Sequence, residues 1–265
     1  MSVEWIYLAY GVLGVVAGIL GGLLGIGGGV ITVPCLLYIF HLQGYPQWEI
    51  MHMAIATSLA AMILTTIAST WSQNKRKAVL WPVFKKLCPG LVIGSFLGAL
   101  LSIWLSDVAL EIFFGVFLCA LAVRFYFYTS GKLGKNKLPR TPILSLYSAG
   151  IGAMSNLLGI GGGSLTVPML MRFKVPDKNA IGTSSATTLL TAVLGSISYL
   201  ILGRGDVAAP DNVGLINIPS FLVVGIVTFF CAPIGVKLAH EISPKIVRRI
   251  FAIVLALTGM SLIIL

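Results

Sequence analysis

One glycine-rich stretch occurs twice in this chain. Gly25-Ile26-Gly27-Gly28-Gly29-Val30-Ile31-Thr32-Val33-Pro34 returns 134 residues later as Gly159-Ile160-Gly161-Gly162-Gly163-Ser164-Leu165-Thr166-Val167-Pro168. Each cluster interrupts a long apolar segment, where glycine costs a helix about 0.5–1 kcal/mol per residue relative to alanine. A helix that restarts after such a break presents unpaired N–H groups and the positive end of its dipole, which together suit an anion. Glycine lets backbone approach that ligand, so Gly27, Gly28, Gly29, Gly161, Gly162 and Gly163 are the first candidate substrate-binding residues. Thr32 and Thr166 add hydroxyls close by. Thr57 and Ser58, in Ala56-Thr57-Ser58, and Thr183 and Ser184, in Gly182-Thr183-Ser184, lie on the next span of each half and could complete the cage. Asn156 stands where the first copy has Gly22, polar in an apolar stretch, and joins them.

A packing role competes with binding for these residues. Gly14, Gly18 and Gly22 are spaced for close helix contact, as are Gly25 and Gly29, and buried Ser and Thr often bond between helices. Nucleotide motifs are excluded. Position 30 is Val and position 164 is Ser, which breaks Gly-x-Gly-x-x-Gly, and neither cluster leads into the Lys-Ser/Thr of a phosphate-binding loop. Cys35, Cys88, Cys119 and Cys231 stand singly, without a C-x-x-C pair or a nearby His, and read as small packed side chains. No nucleophile–base set is visible, so the expectation is a protein without catalytic residues, metal or cofactor.

The elements that must position these residues are membrane spans. Of 265 residues, 57% are hydrophobic and only 10% charged, with a mean hydropathy of +0.99; a soluble domain carries about 25% charged residues. The apolar residues fall into runs of about 20, the length that crosses roughly 30 Å of hydrocarbon. The reading is an all-α polytopic membrane protein. About eight hydrophobic segments, giving up to ten helical pieces, divide between two repeats, each with a glycine-broken or re-entrant unit and three spans. Residues 1–130 form the first repeat, 131–141 a basic cytoplasmic linker and 142–265 the second. Pro82 and Pro219, like Gly98 and Gly235, recur at an offset of 137, so three landmarks keep one order in both halves.

Charge sets the orientation. The net charge of +10 would suggest nucleic acid in a soluble protein, but in a membrane protein it reflects Lys and Arg held on the cytoplasmic side. If each broken unit returns to the side it entered, every Lys and Arg except Arg204 falls on that side, and every acid except Asp177 and Glu241 on the other. The two repeats are then inverted, with basic loops in the cytoplasm and both termini outside. The N-terminus has Glu4 in place of a basic leader region, so the first segment is expected to remain in the mature chain. Paired interrupted helices in inverted repeats are the architecture of many secondary transporters, because irregular backbone survives at membrane depth only inside protein or beside a cavity. No ionisable residue falls mid-span, so backbone dipoles and hydroxyls would hold the substrate, favouring a small anion.

The paired Gly-Ile-Gly-Gly-Gly…Thr-Val-Pro segments, each followed by Ala/Gly-Thr-Ser, resemble the sulfite exporter TauE/SafE family over essentially the whole chain. Ala56 departs from the usual glycine, and the first half has eight more residues between motif and Thr-Ser. The resemblance implies export of a small sulfur-containing anion, such as sulfite, sulfoacetate or another organosulfonate, across the cell membrane by alternating access of the inverted repeats. The alternative is a channel-like passive anion pore. Expected partners are the anion and the lipid bilayer, with no nucleic acid.

Overall fold

The computed structural model describes residues 3–47, 49–127, 138–202, 211–241 and 244–264. They form two series of five helices. The first is α1 (Val3–Leu24), α2 (Gly29–Leu42), α3 (Ile50–Lys75), α4 (Trp81–Ile103) and α5 (Asp107–Phe127). The second is α6 (Thr141–Leu158), α7 (Gly163–Arg172), α8 (Asp177–Leu202), α9 (Ile218–Glu241) and α10 (Pro244–Ile264). By length and composition α1, α3, α4, α8 and α9 can cross a membrane, in keeping with an all-α polytopic protein. Apolar side chains such as Trp104, Leu146, Ile201 and Phe230 cover the outside, as a lipid-facing surface requires.

Most of the segment read as the linker, 131–141, lies outside the described residues, as does Arg204. A short strand pair precedes α9. Asn212–Val213 (β1) pairs antiparallel with Ile216–Asn217 (β2), and the chain turns at Gly214, whose φ is 58°.

The broken units are hairpins. At 14 and 10 residues, α2 and α7 reach about 21 and 15 Å, well short of a membrane thickness of ~30 Å. Each folds back along the helix before it. Gln43, just past α2, donates from Nε2 to the Tyr10 hydroxyl at 2.9 Å, near the start of α1. Phe173, just past α7, meets Tyr147 in α6 with ring centroids 6.1 Å apart.

Helix direction follows from such contacts. One end of the molecule gathers Tyr45, the start of α3, the α4–α5 turn and the start of α9: His52 pairs with Asp107, and Asn217 Nδ2 donates to the Tyr45 hydroxyl. The other end gathers the α3–α4 connection, the start of α6, the start of α8 and the end of α9. There Ser145 Oγ donates to Lys86 O, Asn179 Nδ2 to Ala78 O, and His240 to Gln73. The first series therefore starts at one end and the second at the other.

Packing crosses between the series. α4 lies against α6 and α8, α9 against α1 and α3, and α5 against α10. Glycines permit this closeness. A Cβ on Gly94 or Gly98 would fall 2.0 or 2.1 Å from the carbonyl oxygen of Ala149 or Ala153 in α6. A Cβ on Gly22 would fall 2.1 Å from Ala232 O in α9. Gly14 and Gly18 face Val227 and Cys231 of the same helix, so the packing role holds for this glycine row.

Candidate binding site at the paired helix breaks

The two breaks have one backbone. Gly25, Gly27 and Gly28 take φ of 68°, 76° and 84°; Gly159, Gly161 and Gly162 take 68°, 72° and 70°. This left-handed region is penalised for residues with a Cβ, which explains three glycines of each cluster. The first closes its helix: Ile26 N–H donates to Gly21 O at 3.2 Å and Ile160 N–H to Ser155 O at 3.0 Å, the six-to-one bond of a Schellman cap. The last opens the next helix, Gly28 standing at the N-cap of α2 and Gly162 at that of α7, both without a side-chain cap.

The remaining glycine marks the crossing. A Cβ on Gly29 would lie 2.5 Å from Gly159 O, and one on Gly163 would lie 2.5 Å from Gly25 O. Each break thus lies against the carbonyl that begins the other. The same carbonyls accept from serines: Ser58 Oγ donates to Gly159 O at 3.2 Å, and Ser184 Oγ lies 2.9 Å from Gly25 O. Serine of one half holds the break of the other half, in both directions.

Buried donors are left over. Residues 25–30 and 159–164 are all buried. The N–H groups of Gly27, Gly28, Gly29 and Val30, and of Gly161, Gly162 and Ser164, have no acceptor among the described residues; Gly163 N–H donates to Gly161 O at 2.8 Å. Buried N–H groups are nearly always paired, and those at a helix N-terminus suit an anion. Ser164 adds a fully buried hydroxyl in the first turn of α7 that also has no partner among the described residues.

The structure sorts the other candidates. Thr32 and Thr166 donate their hydroxyls to Gly28 O and Gly162 O, at 3.1 and 2.9 Å, within their own first turns. Thr57 and Thr183 perform a different task. Thr57 Oγ1 accepts from Asn217 N–H, and Thr183 Oγ1 from Leu80 N–H, both at 3.0 Å, so each threonine caps the start of a long helix, α9 or α4. Asn156 lies outside the group gathered at the breaks: its Nδ2 donates to Ser95 O at 3.1 Å and its side chain covers Gly195.

Two residues at the centre escaped the sequence reading. Met62 and Thr188 lie four positions after Ser58 and Ser184, on the same helix faces, and both contact both breaks. Cβ positions on Gly27 and Gly161 fall 3.1 and 2.9 Å from Met62 Sδ, and 2.8 and 2.7 Å from Thr188 Cγ2. The readable signal was that i, i+4 spacing. Ser164 had its own, as the one hydroxyl replacing a valine between the two motif copies. Elsewhere the structure joins His52 to Asp107, whose other oxygen accepts from Met51 N–H at 2.7 Å, in a partly buried pair that no spacing in the sequence couples.

The chain is similar to known membrane transporters along nearly its whole length. The sulfite exporter TauE/SafE family matches residues 10–262. A probable membrane transporter protein of Methanocaldococcus jannaschii is 31% identical over 256 residues, 96% of this chain and 94% of that one. A probable membrane transporter protein of Haemophilus influenzae is 28% identical over 257 residues, covering 94% and 95%. A sulfite exporter TauE/SafE family protein of Arabidopsis thaliana is 26% identical over 121 residues, 46% of this chain and 25% of that one. No solved structure matches. With ten helices among its described residues, doubled glycine breaks and a match along nearly its whole length, the chain belongs to the sulfite exporter TauE/SafE family of membrane transporters.

Proposed function

We propose that this transporter exports a small sulfur-containing anion, such as sulfite, sulfoacetate or another organosulfonate, from the cytoplasm across the cell membrane. The supporting observation is the reciprocal contact of the two breaks, with buried and unpaired N–H groups at the starts of α2 and α7. Two half-helix dipoles then present positive ends to one small volume, and the ligand replaces the missing acceptors. Gly27, Gly28, Gly29, Gly161, Gly162 and Gly163 supply the backbone, while Ser58 and Ser184 hold it. The two series act as inverted repeats, residues 1–130 and 142–265, with basic loops in the cytoplasm and both termini outside.

The same contacts support alternating access. The breaks are buried, so the anion enters when the two halves rock apart on one side. A passive pore would keep them open. Purified protein in liposomes is expected to exchange labelled sulfite or a sulfonate against excess unlabelled anion. Gly28→Val and Gly162→Val, which place a β-branched residue at φ of 84° and 70°, are expected to abolish that exchange. Undiminished exchange in both variants would overturn the site; flux without counterflow stimulation would favour the pore.

A further inference from the structure

The face of α3 that touches the breaks continues beyond them as a row of polar side chains. Met62 and Thr66 face Gly27, and Ser69, Thr70 and Gln73 follow at helical spacing on that side. Hydroxyls and amides inside a membrane protein normally bond to a neighbouring helix. Three donors of this row lack such a bond: Ser69 Oγ, Thr70 Oγ1 and Gln73 Nε2 are buried without a partner among the described residues. Each can donate a hydrogen bond. Ile67 and Trp71 lie on the opposite face of the helix, 42% and 59% exposed, so the polar row is turned away from lipid.

The row ends among cations. His240 Nε2 in α9 donates to Gln73 Oε1 at 3.3 Å, which leaves the Gln73 amide N–H groups free. Arg76 follows Gln73 by three residues, and Arg76 and Lys178 both lie near enough to His240 to act on it electrostatically. Glu241, the acid beside His240, is exposed. On α8 the equivalent positions are Thr188, Ala192, Gly195, Ser196 and Tyr199. Thr188 donates to Ser184 O as Thr66 does to Met62 O, Ser196 Oγ is buried without a partner among the described residues, and Tyr199, in the place of Gln73, donates to Asn156 O.

We propose that this face of α3 is the lane by which a small anion passes between the basic end of the molecule and the paired breaks, with Gln73 at its mouth. Resting on the anion-transport reading above, it adds the route and an entrance contact. Donors without acceptors, leading from a cationic mouth to a buried anion site, suit an oxyanion and disfavour a cation. The α8 face, with Ser196 as its unpartnered donor and the already bonded Tyr199 in the place of Gln73, is the poorer counterpart.

Gln73→Glu tests the lane with a change of charge and almost none of shape. Its carboxylate would face Arg76, Lys178 and His240, so the melting temperature in detergent should hold or rise. Anion exchange should fall about tenfold or more, because the anion now meets a like charge. Gln73→Met, uncharged and of similar length, should fall less. Gln73→Glu exchanging at the unaltered rate would overturn the lane.

A labelling experiment separates the lane from its cargo. In a variant with the four native cysteines replaced by alanine, Ser69→Cys should react faster with an anionic methanethiosulfonate than with a cationic one of similar size. It should do so from one side of the membrane, and sulfite or an alkylsulfonate should slow the reaction. Reaction no faster than at Ile67→Cys, or without charge preference, would overturn the lane. Anionic preference that neither sulfite nor a sulfonate slows would leave the lane standing and sink the sulfur-anion reading. Should the cysteine-free protein fail to fold, the Gln73 variants decide alone.

Discussion

The two glycine breaks share a backbone and differ in what surrounds it. Their φ values agree position by position, each lays a glycine against the other's leading carbonyl, and each has that carbonyl beside a serine of the opposite half. Around this frame the halves diverge. Met62 faces Thr188 across the centre, Val30 corresponds to Ser164, and Gly21 and Gly22 correspond to Ser155 and Asn156. The second half therefore carries hydroxyls and an amide where the first carries a thioether, an aliphatic chain and glycines. A backbone frame that tolerates such divergence takes its geometry from glycine and, in the proposed site, its chemistry from amide groups. Side chains then adjust one half relative to the other.

The largest effects should come from the shared frame. Gly29→Ala and Gly163→Ala each put a methyl group 2.5 Å from a backbone carbonyl that cannot rotate away. Separating the two breaks should cost about 1–3 kcal/mol of stability, as overpacking does. Anion exchange should be lost with it. The comparison predicts equal losses in the two variants, read as melting temperature in detergent and exchange in liposomes. A loss confined to one would show that the reciprocal contacts are not equivalent.

The centre offers a sharper test, since Met62 and Thr188 contact the same two glycines. Met62→Thr should lower stability by about 1–2 kcal/mol through lost packing while retaining exchange. Its new hydroxyl can donate to Ser58 O, as that of Thr188 donates to Ser184 O at 2.8 Å. Thr188→Met should abolish exchange by driving a second long side chain between Gly27 and Gly161. The double exchange, Met62→Thr with Thr188→Met, restores the volume with the halves reversed. Recovery of exchange would establish that the centre is symmetric in space. Continued loss would mean that the hydroxyl is needed on the second half.

Legibility in the sequence followed the locality of the cause. The breaks were legible because a glycine cluster within an apolar run is a local anomaly, and its duplicate locates the second half. The packing of Gly14, Gly18 and Gly22 was legible for the same reason. Thr57 and Ser58 were not separable. Adjacent helical residues point about 100° apart, so one could face the break and the other had to face elsewhere. Only the arrival of Asn217 N–H, 160 residues away in sequence, shows which did. Met62 looked like any apolar residue of a span. His52 and Asp107 sit 55 residues apart in different helices, and no periodicity encodes their meeting.

The smallest effect concerns the difference between Val30 and Ser164. The Ser164 hydroxyl is fully buried and has no partner among the described residues, so in the unliganded protein it carries an uncompensated loss of hydration. Ser164→Ala should therefore leave the anion-free melting temperature unchanged or slightly raised, within about 0.5 kcal/mol. If the hydroxyl meets the anion, the same variant should bind about tenfold more weakly, equal to roughly 1.4 kcal/mol. The readout is the anion concentration needed to raise the melting temperature, because a ligand that binds only the folded state stabilises it by mass action. A clear loss of stability without anion would mean that Ser164 has a structural partner. Unchanged affinity would remove the hydroxyl from the site and leave recognition there to the backbone alone. Val30→Ser supplies the reciprocal arm: it adds a hydroxyl at the start of α2, and tighter binding there would show that the frame accepts a side-chain donor from either half.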